Sequence, residues 1–315
     1  MLPSISNSRR PIGSVAVIIV NWNTQDLLAS CLSSLQDEAR HLDADVVVVD
    51  NASSDGSERM LRASFPWVHV VQAGANLGFA RANNLAIAQT ETEFVFLLNP
   101  DTELSSGVIS TLRQALDDDP RLAAVTPRLR LPDGSDQPGV GGALPSLISF
   151  LGHYFFLGRI FPRAFTPFMI SQARLVASRG QGLEWICGAA MMVRRSAIDA
   201  VGALSSAYFM YGEDIEWCTR FQRAGWSVGI VPLVAVLHHH GATSEGRGAQ
   251  AETRWLEGLD RYARERWPAG KVRTAHLIAA CGFALRAILY STLVKPAKAR
   301  RMLLFSRASL AMAFR

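Results

Sequence analysis

With 315 residues, 49% of them apolar, and a net charge of +5, the chain can bury the core of one sizeable domain, alone or with a C-terminal addition, and is not a disordered protein. Its four cysteines, Cys31, Cys187, Cys218 and Cys281, are scattered without the spacing of zinc ligands or of a redox pair, which gives a disulfide framework or zinc site little support and predicts a reducing, cytosolic compartment. The charge is unevenly spread, because from Arg266 to the end there are many Lys and Arg and no Asp or Glu.

In chain order, Met1 to Pro11 carries Arg9 and Arg10 but lacks the apolar core and cleavage site of a signal peptide, so secretion by that route is not expected. Ser14 to Val20 is β-branched and too short for a helix, which predicts a first strand leading into Asn21-Trp-Asn-Thr24. Gln25 to Gln36 sets Leu27, Leu28, Leu32 and Leu35 at helical spacing, and Val46 to Val49 predicts a second strand ending on Asp50. Strand, helix, strand implies a parallel crossover. A turn cluster at Asn51-Ala-Ser-Ser-Asp-Gly56 precedes a third strand at Val68 to Val71, a helix over Phe79 to Ala88, and an apolar strand from Phe94 that stops on Asn99-Pro-Asp101. Three right-handed units in about ninety residues are the economical form of a nucleotide-binding half-domain.

Beyond Asp101 the pattern predicts a helix over Ser106 to Leu116, a strand over Ala123 to Leu131 and a Gly/Pro-rich break from Pro132 to Pro145. Ser146 to Ile170 is aromatic and apolar without a clear period; it suits a membrane interface or lipid-like ligand, or equally a loop packed on the core. Trp185 to Val193 reads as a strand, Glu213 to Ala224 as a helix, and Val228 to Leu237 as a strand ending at His238-His-His-Gly-Ala-Thr-Ser244. The basic C-terminus, with apolar runs at Leu277 to Leu285 and Met302 to Phe305, suits an anionic membrane surface, worth about 1 kcal/mol per well-placed cation. A solvated or nucleic-acid-binding tail is the plainer alternative. His276 to Val294 is almost long enough to span a bilayer of about 30 Å, but Arg286 in its middle predicts a helix that lies on the membrane.

Apolar runs that end on carboxylates deliver Asp50 and Asp101 to the carboxyl edge of a sheet, where open α/β folds bind ligands. No Gly-x-Gly-x-x-Gly follows the first strand, so phosphate charge must be met in another way. A divalent cation, Mg²⁺ or Mn²⁺, held at Asp101 would do so and would stabilise a departing diphosphate. In isolation Asp101 could equally be a turn residue after Pro100, and Asp50 a turn or helix cap. Asn76, Gly78, Arg81, Asn83 and Asn84 load a helix start with polar groups, where Arg81 could meet phosphate. Glu213 and Asp214 suit a first helical turn on dipole grounds alone, but Phe209, Met210, Tyr211 and Trp217 surround them with apolar groups that raise a carboxylate pKa toward that of a general base. One of His238, His239 and His240 could complete the shell of a metal at Asp101; a solvated turn or a nonspecific metal patch is the alternative.

Asn21-Trp-Asn, Val49-Asp-Asn-Ala-Ser-Ser-Asp-Gly56, Asn76-Leu-Gly-Phe-Ala, Leu98-Asn-Pro-Asp101, Gly188-Ala-Ala-Met, Tyr211-Gly-Glu-Asp214 and His238-x-x-Gly241 occur in the order found in family 2 inverting glycosyltransferases. The chain resembles most the rhamnosyltransferases of bacterial cell-envelope polysaccharides, over roughly Ser14 to Ser244. The resemblance implies an α/β, GT-A-type nucleotide-binding fold with a mainly parallel central sheet, to which the basic, apolar C-terminus would add a helical, membrane-associating extension. Residues 12–245 would form the transferase domain, with a donor half over 12–131 and an acceptor half over 180–245, and residues 246–315 the extension. It further implies Asp101 as metal ligand in an Asn99-Pro-Asp form of the Asp-x-Asp motif, with one carboxylate fewer than usual, and His238 as a second ligand. Asp50 would read the pyrimidine, Asn99 would lie near the ribose and Arg81 near base and phosphates. Gly188 and Ala189 would wall the donor sugar, and Asp214 would deprotonate the acceptor. Asn21, Asn76, Glu213 and Trp217 complete the expected substrate-binding set. The implied partners are a nucleotide-sugar donor, a lipid-linked or glycan acceptor and an anionic membrane at its cytosolic face, with no nucleic acid. dTDP-rhamnose is the first expected donor, a UDP-hexose or UDP-galactofuranose the next. A nucleotidyltransferase would need a Gly-rich basic loop where Asn21-Trp-Asn-Thr stands, and an inactive scaffold would have no use for Asp101, Asp214 and His238 together.

Overall fold

The computed structural model describes residues 13–239 and 248–315. Met1 to Pro11 and His240 to Ser244, which carried part of the sequence reading, lie outside the described residues. The first half alternates strand and helix: β1 (Val15–Asn21), α1 (Gln25–His41), β2 (Asp45–Asp50), α2 (Ser57–Ser64), β3 (His69–Gln72), α3 (Gly78–Ile87) and β4 (Phe94–Leu98). The strands lie in the order β3-β2-β1-β4, all parallel. β4 is buried at every position, as are the apolar residues of β2, and each such Val, Ile, Leu or Phe contributes roughly 1.5–3 kcal/mol. Continuous rather than alternating apolar runs follow from helices covering both faces.

The second half comprises β5 (Thr102–Leu104), α4 (Val108–Asp118), β6 (Leu122–Arg130), β7 (Gly141–Gly142), α5 (Leu147–Tyr154), α6 (Leu157–Ile160), α7 (Gln172–Ala177), β8 (Trp185–Ile186), β9 (Ala190–Arg194), α8 (Arg195–Val201), α9 (Glu213–Arg223) and β10 (Ser227–His238). It extends the sheet as β4-β9-β6-β10-β5, with β9 antiparallel to both neighbours. The continuous strand expected over Trp185 to Val193 is broken instead. β8 pairs with β7 in a separate two-stranded sheet, β9 joins the main sheet, and Cys187, Gly188 and Ala189 turn between them. The aromatic segment is also more regular than its pattern suggested: Ser146 and Ser149 form a reciprocal capping box that starts α5, and Phe150 meets Tyr154 and Phe168 edge-on.

The chain closes with α10 (Gly248–Arg266), α11 (Ala269–Thr292) and α12 (Pro296–Ala313). Leu256, Leu259, Tyr262, Ala279, Phe283 and Phe305 from these helices enter the same buried cluster as Ile18, Val95 and Met191 of the sheet. α11 is long and apolar enough to cross a membrane, yet 44% of its apolar window is buried inside the protein. Its mid-helix Arg286 donates to the His153 carbonyl at 2.5 Å and lies over the Phe156 ring at 4.8 Å. Gly282 lets the helix settle on α5, because a Cβ there would stand 2.4 Å from the Tyr154 Cβ. Gly282→Val is therefore expected to cost about 1–3 kcal/mol by overpacking, read as a lower urea midpoint; an unchanged midpoint would mean that α11 does not seat on α5.

Candidate active site

The parallel register sets Asn21 opposite Asp50, and Ile19 opposite Leu98, so the ends of β1, β2 and β4 share one edge. Asp50 is buried and braced: its Oδ1 accepts from Asn21 Nδ2 at 3.2 Å and its Oδ2 from the Ser53 backbone N–H at 3.3 Å. Asn21 is fully buried, and its amide also donates to Ser53 Oγ while accepting from Thr24. It therefore holds Asp50 in place. Asn51 links this loop to the next, donating to Asn76 Oδ1 at 3.1 Å and accepting from the Leu77 N–H at 2.8 Å. Asn76 also accepts from the Gly78 N–H, and exposed Arg81 reaches across to donate to the Ser206 carbonyl at 3.3 Å.

Strand β5 returns directly after Asp101 and pairs with β10, aligning Thr102 with His238. Asp101 and His238 are both buried, with Asp101 Oδ1 at 3.1 Å from His238 Nε2 and Asn99 Nδ2 at 3.5 Å from the same nitrogen. On the far side of the ring, Nδ1–H donates to Gln137 Oε1 at 2.6 Å. An oxygen and an imidazole nitrogen fit Mg²⁺ or Mn²⁺ as a partial shell, the remainder coming from phosphate and water. Among the described residues no group of three or more His, Cys, Asp and Glu converges, in keeping with Asn99 standing where a second acid would be. His239 turns away: its ring pairs with Glu103 at 2.8 Å, and only its backbone N–H reaches the Asp101 carbonyl. His240 lies outside the described residues. Gln137 escaped the sequence reading because it sits inside the Gly/Pro-rich break, where no period marks it.

Helix α9 brings the other acids. Asp214 stays partly exposed, while its Oδ2 accepts from the Gly188 N–H at 3.3 Å and its Oδ1 from the Ile215 N–H at 2.8 Å. Glu213 is buried, and its Oε2 has no hydrogen-bond partner among the described residues. Burial, reinforced for Glu213 by the Asp214 charge, pushes both carboxyls above their ordinary range. The Cys187 thiol, pushed up to about 12 by burial and then by Asp214, with Glu213 and Asp101 adding to it, lies in the field of all three acids. The Gly188-Ala189 turn joins the two sets, since the Gly188 N–H donates to Asp214 and the Ala189 carbonyl accepts from the Asn99 N–H. Trp217 is fully buried, and its Nε1–H donates to the Gly202 carbonyl at 2.8 Å. One helical turn beyond Glu213, it shares that residue's inward face rather than the open side of Asp214. Ala189 is buried too, and its carbonyl accepts from the Asn99 N–H at 2.9 Å; Gly188 lies between Phe79 and Asp214.

Residues 16–202 match the model of glycosyl transferase family 2. The chain belongs to glycosyl transferase family 2. It is therefore a glycosyltransferase, and residues 157–314 also match the model of glycosyl transferase family 21. It is 35% identical to the N-acetylglucosaminyl-diphospho-decaprenol L-rhamnosyltransferase of Mycobacterium tuberculosis over 242 residues, 73% of this chain and 77% of the relative. It is 24% identical to the rhamnosyltransferase WbbL of Escherichia coli, covering 72% of this chain and 84% of that one. The mannosyltransferase PcManGT from Pyrobaculum calidifontis, solved with GDP-Man and Mn²⁺, superposes with a TM-score of 0.58 at 18% identity, over 98% of this chain and 87% of that one. That likeness bears out the GT-A-type fold.

What orients α9 in this family 2 enzyme is partly the C-terminal region. Tyr211 and Gly212 adopt left-handed φ of 70° and 92° just before Glu213. On one side of them the Phe209 carbonyl accepts from the Phe79 N–H at 2.7 Å. On the other, Gly258 of α10 approaches so closely that a Cβ would stand 2.2 Å from the Tyr211 carbonyl oxygen. Gly258→Ala is expected to displace the loop and lower kcat at least about tenfold with little change in donor KM; equal kcat in steady-state assays would show that the loop does not depend on α10. A carboxyl held above its unfolded value contributes stability that is full below the unfolded pKa and lost as pH rises through the folded one. Glu213→Gln removes that loss, so its melting temperature should exceed that of the wild type at about pH 9 but not at about pH 4, as thermal unfolding across that range would read.

Proposed function

We propose that this enzyme transfers L-rhamnose from dTDP-rhamnose to a lipid-linked glycan at the cytosolic face of the cell membrane, by a single displacement with inversion. The observation that carries the reading is the partly exposed Asp214, with its raised pKa, sharing one sheet edge with the Asp101–His238 pair. Similarity to an enzyme named for L-rhamnosyl transfer to a decaprenol-linked N-acetylglucosamine supports the donor and acceptor classes.

Asp214 takes the proton from the acceptor hydroxyl, whose oxygen forms the new bond at the anomeric carbon as the bond to the nucleoside diphosphate breaks on the opposite face. The Gly188 N–H on Asp214 Oδ2 aims the carboxylate, and its raised pKa keeps it a competent base. Asp50, fixed by Asn21 and Ser53, accepts from the pyrimidine imino group. Arg81 and Asn99 lie toward phosphate and ribose, with Gly188 leaving room for the sugar. Asp101 and His238 would hold Mg²⁺ or Mn²⁺, which when bound supplies Lewis-acid stabilisation of the leaving diphosphate. Uracil presents the same imino group to Asp50 as thymine, so a UDP-hexose or UDP-galactofuranose is the second donor reading.

Diphosphate release from a panel of nucleotide sugars, with polyprenyl-diphospho-N-acetylglucosamine as acceptor, tests the reading. Metal-dependent release from dTDP-rhamnose is expected, with kcat lowered about 10²–10⁴-fold in Asp214→Asn. Release only from a UDP-sugar would replace the donor, and release of pyrophosphate from a nucleoside triphosphate would overturn the reaction. Gln137→Leu removes the partner that orients His238, and should weaken Mn²⁺ binding about 10–100-fold in a titration followed by electron paramagnetic resonance; undiminished binding would exclude His238 from the metal shell.

A further inference from the structure

Two acid-free stretches remote in sequence are packed against one another. Residues 137–183 carry Arg159, Arg163, Arg174 and Arg179 without any Asp or Glu, as residues 266–315 carry Lys and Arg without either. Their seam is the contact of α5, and of Phe156 just before α6, with α11. There Arg286 donates to the His153 carbonyl and lies over the Tyr154 and Phe156 rings, and Gly282 admits Tyr154. Leu289 and Leu293 follow Arg286 at helical spacing, so they continue the face that Arg286 turns toward α6. At this end both stretches expose large apolar side chains: Ile160 is 63% and Phe161 56% exposed on one side, Leu293 61% and Val294 84% on the other. Exposed cations flank them, Arg159 and Arg163 by α6, and Lys295, Lys298 and Arg300 where α11 turns into α12.

We propose that this composite face, α6 together with the α11–α12 corner, seats the enzyme on an anionic bilayer. The apolar tips enter the boundary between headgroups and acyl chains, and the surrounding cations lie at the level of the lipid phosphates. A surface with aliphatic side chains at its centre and cations at its rim matches a bilayer, which offers an apolar phase beneath its charge; nucleic acid offers phosphates without one. The helix α11 lies on the membrane rather than across it, because Arg286 at its middle is held by α5 and α6, and Ala279, Phe283 and Ala287 are buried in the protein. The proposal deepens the reading of a lipid-linked acceptor, since it brings the transferase to the phase where that acceptor resides.

Flotation of the full chain with phosphatidylcholine vesicles, with and without about one third phosphatidylglycerol, tests it. Binding to the anionic vesicles should exceed that to neutral ones at least about tenfold and weaken with salt. Arg159→Glu/Arg163→Glu and Lys295→Glu/Lys298→Glu should each lower it at least about tenfold, as should Phe161→Ser/Val294→Ser. Wild-type binding by either charge-reversed pair would overturn the composite face, and equal binding to both vesicle types would overturn the anionic partner. Stronger retention on duplex DNA than on vesicles would overturn the bilayer. Each variant should still release diphosphate with a short, soluble prenyl-linked acceptor at the wild-type rate, so failure of docking and failure of the proposed reaction are read separately. Vesicle binding as expected without transfer would retain the docking face and refute the reaction.

Discussion

Because β2, β1 and β4 run parallel and in register, their carboxyl ends fall along one edge, and the site depends on that alignment. Parallel strands can be joined only by crossovers that return over the sheet faces, so the edge where chains leave the strands is free to carry polar loops. Asp50 and Asp101 occupy that edge while both remain buried. Burying a carboxylate is costly unless donors or cations surround it. Asp50 is satisfied by Asn21 and Ser53, and Asp101 lies against His238. The two acids thus receive different company: neutral donors surround one, and an imidazole faces the other.

The acceptor-side acids divide on a similar principle. Adjacent in sequence, Glu213 and Asp214 point to different surroundings, since the helical turn sends one inward and leaves the other partly exposed. Two neighbouring carboxyls that both resist ionisation titrate as a pair. Burial is the first cause for both, and the Asp214 charge adds to it for Glu213, whose Oε2 has no hydrogen-bond partner among the described residues. Stability is given up where carboxyls are held above their ordinary range in this way.

Much of the sheet was legible in the sequence because its signal is local: an apolar run that halts on Asp50 or on Asn99-Pro-Asp101 states both the strand and the edge. The start of α9 was legible for the same reason. What escaped notice depends on partners far away in the chain. Nothing near Gln137 announces that it will meet His238, a hundred residues on, and nothing near Gly188 states that the strand bends there to meet Asp214. Trp217 adjoins the acids in sequence, but which way the helix turns it follows only from the packing of α9. The aromatic segment lacked a readable period because α5 and α6 are short, spanning eight and four residues, too few turns for a pattern to emerge.

The contact of Gly258 with Tyr211 ties the timing of function to the order of synthesis. Strands β1 to β4 and the loops that brace Asp50 are complete before residue 100 has been made, whereas the left-handed turn ahead of Asp214 lacks its second buttress until α10 has been added and folded back. A nascent chain can therefore form β1 to β4 and brace Asp50 long before the turn that carries Glu213 and Asp214 is held from both sides.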